Sequence, residues 1–379
     1  MTRSTGVNVS GSCASGYEGV RDALVENLVS ADIGASCAVT VNDELVVDLW
    51  GGHADIAATR PWREDTIVNV WSTTKMMAAL CVLVLHDRGA LSIDEPVADH
   101  WPEFAANGKA GVLVRHVLAH TAGIPVFDDH IDDRAVFDRP ACVERLASQP
   151  PRWTPGDGSG YHAETQGWLL GEIVARVDGR SLGRFFADEV AGPLGVDFHI
   201  GVDDSDFTRV ADVATADAQR EASPDPELSA LALASSARSA ALVNTASWRR
   251  AEFPASNGHG NARSVASAMA VLANSGTSKG VQLLRPETID RIFEIQADGV
   301  DRMLGRHMRF GVGYGLNSEH TPLGVNDRTL WWAGWGGSMC VVDLENRLTV
   351  AYVMNRMLGE GDLRAARVVF AAHRARAGV

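Results

Sequence analysis

A serine and a lysine three residues apart, Ser72 and Lys75, have the spacing that nucleophilic catalysis requires. Positions i and i+3 of a helix share a face, so Ser72 Oγ and Lys75 Nζ can meet. The apolar residues 76–85 predict a helix buried inside the protein. Burial and the positive end of the helix dipole both disfavour an ammonium group. A neutral amine beside a hydroxyl is a general base beside a nucleophile.

A purely structural interpretation of the same pattern is also open. Ser72 could cap the helix while the stem of Lys75 lies along apolar surface and its amine reaches water. The S-x-x-K pattern occurs once in the chain, and the other two lysines, Lys109 and Lys279, lie in glycine-containing loops. We expect water to solvate those two amines, and this contrast favours a catalytic role for Lys75.

A serine–lysine mechanism also needs a proton shuttle and donors for an oxyanion. Among the four tyrosines, Tyr161 ends a Pro/Gly-rich turn that runs into a predicted helix, and loops before helices often carry catalytic groups. Packing of its ring onto the core is the alternative. The glycine-rich residues 334–338 precede a strand and could leave backbone N–H groups free for a substrate. A plain tight turn is the competing interpretation there.

Composition and charge exclude several classes of function. The net charge of −14 is spread over isolated carboxylates, without the clustered Lys and Arg that nucleic acids require. The five cysteines show neither metal-site nor disulfide spacing, which predicts free thiols in a reducing compartment. The sequence has no apolar stretch typical of a secretory signal or a membrane span. We therefore expect a soluble, cytoplasmic enzyme or binding protein.

The elements that must position these residues are strands at both ends and helices between them. Residues 37–50 and 339–354 each predict a β-hairpin. Helical periodicity marks five segments, which are residues 115–120, 141–147, 165–177, 182–190 and 265–275. We predict an α/β (α+β) fold with an antiparallel sheet flanked by helices.

The predicted domain division follows from this order of elements. Residues 1–90 and 275–379 would form the α/β domain, and residues 91–274 an inserted, mainly or wholly helical domain. Residues 208–254, rich in Ala, Ser, Asp and Pro, are predicted as a cap over the site.

Four motifs stand in a fixed order along the chain: Ser72 to Lys75, residues 118–125 (Leu-Ala-His-Thr-Ala-Gly-Ile-Pro), residues 155–161 and residues 334–338. With them, and with the glycine-rich residues 310–315, the chain resembles the serine beta-lactamase-like superfamily. The nearest likeness is to family VIII carboxylesterases, relatives of class C beta-lactamases and D-alanyl-D-alanine peptidases.

The resemblance implies an active site in the cleft between a sheet domain and a helical insertion. It implies Ser72 as the acylated nucleophile, and Lys75 and Tyr161 as the base and the proton shuttle. Which of the two deprotonates Ser72 is left open, since their titrations are coupled. It further implies an oxyanion hole made by the backbone N–H groups of Ser72 and Ser338, and no cofactor or metal.

Two departures from the superfamily pattern bear on the substrate. Where lactamases and peptidases carry Tyr-x-Asn, this chain has Tyr161 followed by His162 and an alanine. Where they carry Lys-Thr-Gly, it has Trp335, Gly336 and Gly337, so the groups that bind a substrate carboxylate are missing. A neutral ester has no carboxylate, so the absence of these groups removes none of its binding contacts.

The predicted function is therefore a carboxylesterase that forms an acyl-enzyme on Ser72. The candidate substrate contacts are Trp335, Gly336, Gly337, His162 and Trp71, although His162 could also be an exposed loop residue. Beta-lactam hydrolysis, D-amino-acid amide or peptide hydrolysis, acyl transfer and a non-catalytic binding module of the same fold stay open as alternatives. The partner is a small ester, and a homo-oligomer is among the open assembly states.

Rival constellations are weaker. His116 and His120 have the spacing of a zinc helix, but Val117 stands where a zincin needs glutamate. The sequence contains no G-x-S-x-G nucleophile elbow. The glycines of residues 311–315 lack the downstream helix and acid of a nucleotide-binding fold.

Overall fold

The computed structural model describes residues 8–129, 131, 135–215, 223–234, 240–359 and 361–378. Residues 1–7, part of the stretch searched for a secretory signal, lie outside this range. Within it, the main sheet has nine strands, which are β1 (Val9–Cys13), β2 (Gly34–Val41), β3 (Glu44–Gly52), β4 (Ala297–Val300), β5 (His307–Phe310), β6 (Gly315–Leu316), β7 (Thr329–Ala333), β8 (Met339–Asp343) and β9 (Leu348–Met354). Their order across the sheet is β1-β3-β2-β9-β8-β7-β6-β5-β4, and every pair is antiparallel.

The pairing of β2 with β9 joins the two ends of the chain at the centre of the sheet. This confirms the predicted antiparallel sheet built from both termini. Both predicted hairpins are present, as β2–β3 and β8–β9. Asn42 and Asp43 have φ values of 50° and 71°, as a primed hairpin turn requires.

The α-helices of the described residues are α1 (Glu18–Ser30), α2 (Thr74–Asp87), α3 (Val114–Leu118), α4 (Arg139–Ser148), α5 (Thr165–Asp178), α6 (Leu182–Phe186), α7 (Gly192–Leu194), α8 (Pro226–Ala234), α9 (Ala240–Val243), α10 (Ala246–Arg250), α11 (Ala262–Ala273), α12 (Pro286–Ile292) and α13 (Arg364–Ala377). Short 3₁₀ segments are Trp71–Thr73, Val97–Asp99, Pro102–Gly108, Ala135–Phe137 and Asp204–Arg209, and a π-helical turn, Ala187–Ala191, joins α6 to α7. Each of the five predicted helical segments therefore contains a helix.

Helices cover the central strands of the sheet. Strand β2 is buried at every residue except its last, as expected for a strand covered on both faces. Helix α11 packs on β2 and β9, and α1 packs against α13, which also contacts β9. Helix α2 is buried from Thr74 to Leu85, as its apolar sequence predicts.

The segment between β3 and β4 is mostly helical but also contributes short strands. Phe198–Ile200 and Val68–Asn69 both pair with Gly258–Gly260 in a three-stranded sheet beside the start of α2. The insertion is therefore not all helical. The domain boundaries given above stay a prediction.

The cap predicted over residues 208–254 is described only in part, since residues 216–222 and 235–239 lie outside the described residues. The rest of it contains α8, α9 and α10. In the described part of the chain, no helix is long and apolar enough to cross a membrane.

Candidate active site

Ser72 lies in the 3₁₀ turn that leads directly into α2. Trp71, just before it, has a φ of 50°, a left-handed conformation that is costly for a bulky residue. Thr74 Oγ1 donates a hydrogen bond of 2.5 Å to the Trp71 carbonyl and holds this turn. Thr73 occupies the N-cap position of α2 and makes no side-chain cap. The structural interpretation, in which Ser72 caps the helix, therefore does not hold.

Lys75 is 1% exposed, and its amine is surrounded by acceptors. Nζ donates to the carbonyl oxygens of Ala163 at 2.7 Å and Ala255 at 2.9 Å, and it lies 3.3 Å from Ser72 Oγ. A neutral amine has two N–H groups, and the two carbonyls accept both of them. Its lone pair is then directed toward the Ser72 hydroxyl, and in the ammonium form the third proton takes that place. The geometry suits a proton that moves between these two atoms.

Burial alone does not distinguish Lys75 from the other lysines. Lys109 is fully buried, and its Nζ donates to the carbonyl oxygens of Ala106, at 2.8 Å, and Gln149. Burial lowers the pKa of Lys109 to about 8. The expectation that water solvates Lys109 is wrong, because the chain that follows α4 folds back over its loop. What singles out Lys75 is the serine hydroxyl beside its amine.

The structure places Tyr161 next to this pair. The centre of its ring lies 5.0 Å from Lys75 Nζ, and its side chain is partly exposed. Its backbone N–H donates to Asp301 Oδ1 at 3.0 Å, and its ring lies edge-on to that of His120 at 5.0 Å. Tyr161 is therefore held both by its backbone and by its ring.

His162 is fully buried, so the expectation of an exposed loop histidine is wrong. Its Nδ1–H donates to the Gly160 carbonyl at 2.6 Å, and its Nε2 accepts the Ile124 N–H at 3.1 Å. Burial lowers its pKa to about 3, so the ring is neutral at physiological pH. Both ring nitrogens are bound to backbone, which leaves none for a substrate. We interpret His162 as a residue that positions the Tyr161 loop.

Two residues support Tyr161 in a way that sequence reasoning did not predict. Asp301 is fully buried, and its Oδ1 accepts three backbone N–H groups, from Tyr161, Met303 and Leu304. His120 is buried with a φ of 62°, and its Nδ1 accepts the N–H of His162 at 3.1 Å. His120 belonged to a recognised motif, but no local pattern links Asp301 to the site, because Tyr161 lies 140 residues from it in the chain.

Ser338 lies against the turn that carries the nucleophile. Its Oγ donates to the Val70 carbonyl at 2.7 Å and lies 3.1 Å from Thr73 Oγ1. Among the described residues its N–H donates to no backbone carbonyl, and the N–H of Ser72 lies in a first helical turn, where no intrahelical acceptor exists. These two N–H groups are available to an oxyanion.

The loop before Ser338 depends on glycines. Gly336 and Gly337 have φ values of 89° and 127°, which disfavour any side chain. A Cβ on Gly336 would come within 2.5 Å of Met357, and one on Gly337 would lie 2.4 Å from an oxygen of Asp362. This turn therefore lies directly on the segment that precedes α13.

A buried ionic cluster supports the loop from behind, and sequence reasoning missed it. Arg364, the first residue of α13, is 1% exposed and donates to the Gly336 carbonyl at 2.7 Å. It also pairs with Asp362, at 2.7 Å, and with the fully enclosed carboxylate of Asp32, which accepts the Tyr352 hydroxyl as well. Burial raises the pKa of Asp32 to about 6. The one cation here is enclosed by two carboxylates.

The two candidate tryptophans have different surroundings. Trp335 is half-buried, and Trp71 packs edge-on against it with ring centres 5.0 Å apart. Trp71 itself is 1% exposed and also contacts Trp248 at 6.1 Å. Almost none of the Trp71 side chain is accessible in this structure, and its contact with a substrate stays a prediction. Trp71 supports Trp335.

The two histidines with zinc-helix spacing make other contacts. His116 Nδ1 accepts the Leu113 N–H at 3.2 Å, and His120 binds His162 as described above. The described residues contain no cluster of three His, Cys, Asp or Glu side chains arranged for a metal ion.

Comparison with known proteins places these residues in a family context. A family model described as Beta-lactamase matches residues 21–374. The chain is 34% identical over 338 residues to the esterase/beta-lactamase LipL of Mycobacterium tuberculosis, which covers 86% of this chain and 77% of LipL. It is 36% identical over 182 residues to the esterase EstB of Burkholderia gladioli, or 43% of this chain and 46% of EstB. A crystal structure of a family VIII carboxylesterase superposes with a TM-score of 0.91 at 38% identity, over 97% of this chain and all of the other.

Proposed function

The chain belongs to the Beta-lactamase family, and we propose that within it this protein is a carboxylesterase, a serine hydrolase that cleaves small, largely apolar esters. The observation that carries the proposal is the 3.3 Å approach of Lys75 Nζ to Ser72 Oγ, with two backbone carbonyls holding the amine in place. The esterase names of LipL and EstB and the family VIII neighbour support the choice of esters.

In the proposed acylation, Ser72 Oγ attacks the ester carbonyl carbon, and its proton passes to Lys75 or Tyr161. The carbonyl oxygen becomes an oxyanion that accepts the N–H groups of Ser72 and Ser338. When the intermediate collapses, the carbon–oxygen bond to the alcohol breaks and the alcohol leaves with that proton. Water then attacks the acyl-enzyme and gives a proton to the same base. The bond between the acyl carbon and Ser72 Oγ breaks, Oγ takes that proton from the base, and the acid is released.

The charges around the site support a neutral substrate. A lactam or peptide carboxylate needs a cation at the position where this chain has Trp335. The nearby Arg364 is enclosed by Asp32 and Asp362 behind the loop, so it offers no free positive charge to the cleft. A half-buried Trp335 provides an apolar wall instead.

Beta-lactam hydrolysis is the second candidate, because the name of LipL joins both activities.

The cysteines bear on where the protein works. All five are free thiols and four of them are buried, which supports a reducing compartment such as the cytoplasm. The partner we propose is a small ester, and the oligomeric state stays open.

The experiment compares wild type with Ser72→Ala on p-nitrophenyl butyrate and nitrocefin, alongside labelling by a fluorophosphonate probe. We expect ester turnover to fall to background and labelling to disappear in the variant. Ser205→Ala, at an exposed serine far along the chain, is the matched control and should behave as wild type. Undiminished ester turnover by Ser72→Ala would overturn the mechanism, and nitrocefin turnover above ester turnover would favour the second candidate.

A further inference from the structure

An apolar surface borders Tyr161 on the side formed by α8. Val126, Leu228 and Met303 form a small buried cluster separate from the main core. The side chains packed against it are only partly buried, and they are Tyr161, Leu231 and Ala232. We call these six residues the α8 patch. Half-exposed apolar side chains beside a candidate catalytic residue are typical of a ligand contact.

Helix α8 presents apolar side chains but is anchored by polar ones. Its residues 228–232 read Leu-Ser-Ala-Leu-Ala and carry no charge. At its start, Asp225 Oδ1 accepts the N–H of Glu227 at 2.9 Å, and Glu227 pairs with Arg152. Ser223 Oγ donates to the Arg302 carbonyl at 2.8 Å. These contacts hold the start of the helix in place, so the apolar wall beside Tyr161 has a defined position.

The chemistry of ester cleavage assigns a direction to each part of the substrate. The tetrahedral carbon carries the Ser72 oxygen, the oxyanion, the acyl carbon and the alcohol oxygen. The oxyanion faces the N–H groups of Ser72 and Ser338. The alcohol oxygen must receive a proton as it leaves, so it faces Tyr161 and Lys75. The acyl chain takes the remaining direction, toward Trp335.

We propose that the α8 patch is the subsite for the alcohol group of the ester, and that the enzyme therefore prefers esters of apolar alcohols. This proposal rests on the proposed function. A chain attached to the alcohol oxygen passes Tyr161 and meets Leu231 and Leu228. Leu228 also lines an open cavity of about 800 Å³, which has room for such a chain beside Trp153 and Val300. The charged residues of its lining are Arg152, Asp225, Glu227, Asp301 and Arg302.

The test uses esters that share one acyl group. Methyl, butyl and hexyl butyrate all give the same butyryl-enzyme, so differences among them arise only from the alcohol side. For Leu231→Asn we expect kcat/KM on hexyl butyrate to fall roughly tenfold, as expected when a contact of several methylene groups is lost. On methyl butyrate, kcat/KM should stay within about twofold, because a methyl group does not reach the patch. Ala230→Asn, on the exposed side of the same helix, is the matched control and should behave as wild type.

A second series fixes the alcohol and varies the acid. On methyl acetate, butyrate and hexanoate, Leu231→Asn should keep the wild-type order of preference. Ala232→Phe fills the patch instead of making it polar, and it should also lower hexyl butyrate turnover selectively. The subsite proposal would be overturned if both variants kept the wild-type ratio of kcat/KM on hexyl butyrate to kcat/KM on methyl butyrate. An altered acyl preference would overturn it as well. Failure of the proposed function itself would show separately, as full methyl butyrate turnover in Ser72→Ala.

Discussion

Nη2 of Arg364, the first residue of α13, donates a 2.7 Å hydrogen bond to the carbonyl oxygen of Gly336, beside the candidate oxyanion hole. Arg364 is 1% exposed, so this contact is made away from water. The C-terminal helix therefore contributes directly to the geometry of the active-site loop.

Removal of this guanidinium should damage both folding and catalysis. In Arg364→Met, Asp32 and Asp362 lose their counter-charge, and loss of one partner of a buried ionic pair costs about 3–5 kcal/mol of unfolding free energy. We expect kcat for p-nitrophenyl butyrate to fall at least roughly tenfold in the folded fraction, since a loosened loop misplaces the Ser338 N–H. Urea unfolding and steady-state kinetics measure the two effects.

Two further variants serve as controls for Arg364→Met. Adding Asp32→Asn should recover part of the stability but not kcat, and Arg374→Met, exposed on the same helix, should be neutral. A wild-type kcat in Arg364→Met would contradict this role.

The two buried lysines allow a matched comparison. Lys75→Met and Lys109→Met each remove an amine that binds two backbone carbonyls, so both should lower the melting temperature. Only Lys75→Met removes the base beside Ser72, and it should lower kcat/KM by roughly a thousandfold, within the range of general-base catalysis. Ester hydrolysis and thermal unfolding are measured on both variants. Equal losses of activity would show that Lys75 acts through folding alone.

Alanine substitutions at two glycines should have opposite outcomes. Gly337→Ala places a Cβ at φ 127° and 2.4 Å from an oxygen of Asp362, which costs roughly 1–3 kcal/mol and displaces the loop. We expect ester turnover by Gly337→Ala to fall together with its stability. Gly299, in strand β4, has open space at its Cβ position, so Gly299→Ala should keep both stability and activity. A fully active Gly337→Ala enzyme would show that the loop tolerates movement.

Buried neutral histidines should make the protein sensitive to acid. Burial lowers the pKa of His162 and of His259 to about 3, and that of His120 falls well below its usual value. Between about pH 6.5 and pH 3 the unfolded chain therefore binds protons that the folded chain does not, and stability falls as the pH falls. Each such histidine contributes about 1.4 kcal/mol per pH unit over this window.

Asp32 changes the stability in the opposite direction as the pH falls. Its folded pKa of about 6 lies above the unfolded value, so the stability it contributes is present at low pH and is lost as the pH rises through 6. Urea unfolding at pH 7, 6, 5 and 4 gives the net slope. His162→Gln should reduce that slope by about one proton. If His162→Gln has the same slope as wild type, the His162 ring of the wild-type protein takes up a proton in the folded state, which would contradict the prediction.

Much of the fold could be predicted from local patterns. The apolar run after Ser72 predicted a buried helix, and the β-branched runs that flank short turns predicted the two hairpins, because these elements are set by nearby residues. The Ser72–Lys75 pair could be found in the same way, since i and i+3 positions meet on any helix. The exposure of Lys109, His162 and Trp71 could not, because each is covered by residues far along the chain.

The sequence alone determined which chemical groups are present and which of them share a helix, because helical periodicity is local. The tertiary structure decided how those groups are held: Ala163 and Ala255 come from 88 and 180 residues away to bind the Lys75 amine. Asp301 binds the Tyr161 backbone from 140 residues away, and Arg364 binds the Gly336 carbonyl from 28 residues away. Such partners are brought together by packing of the whole chain, which no short stretch of residues encodes.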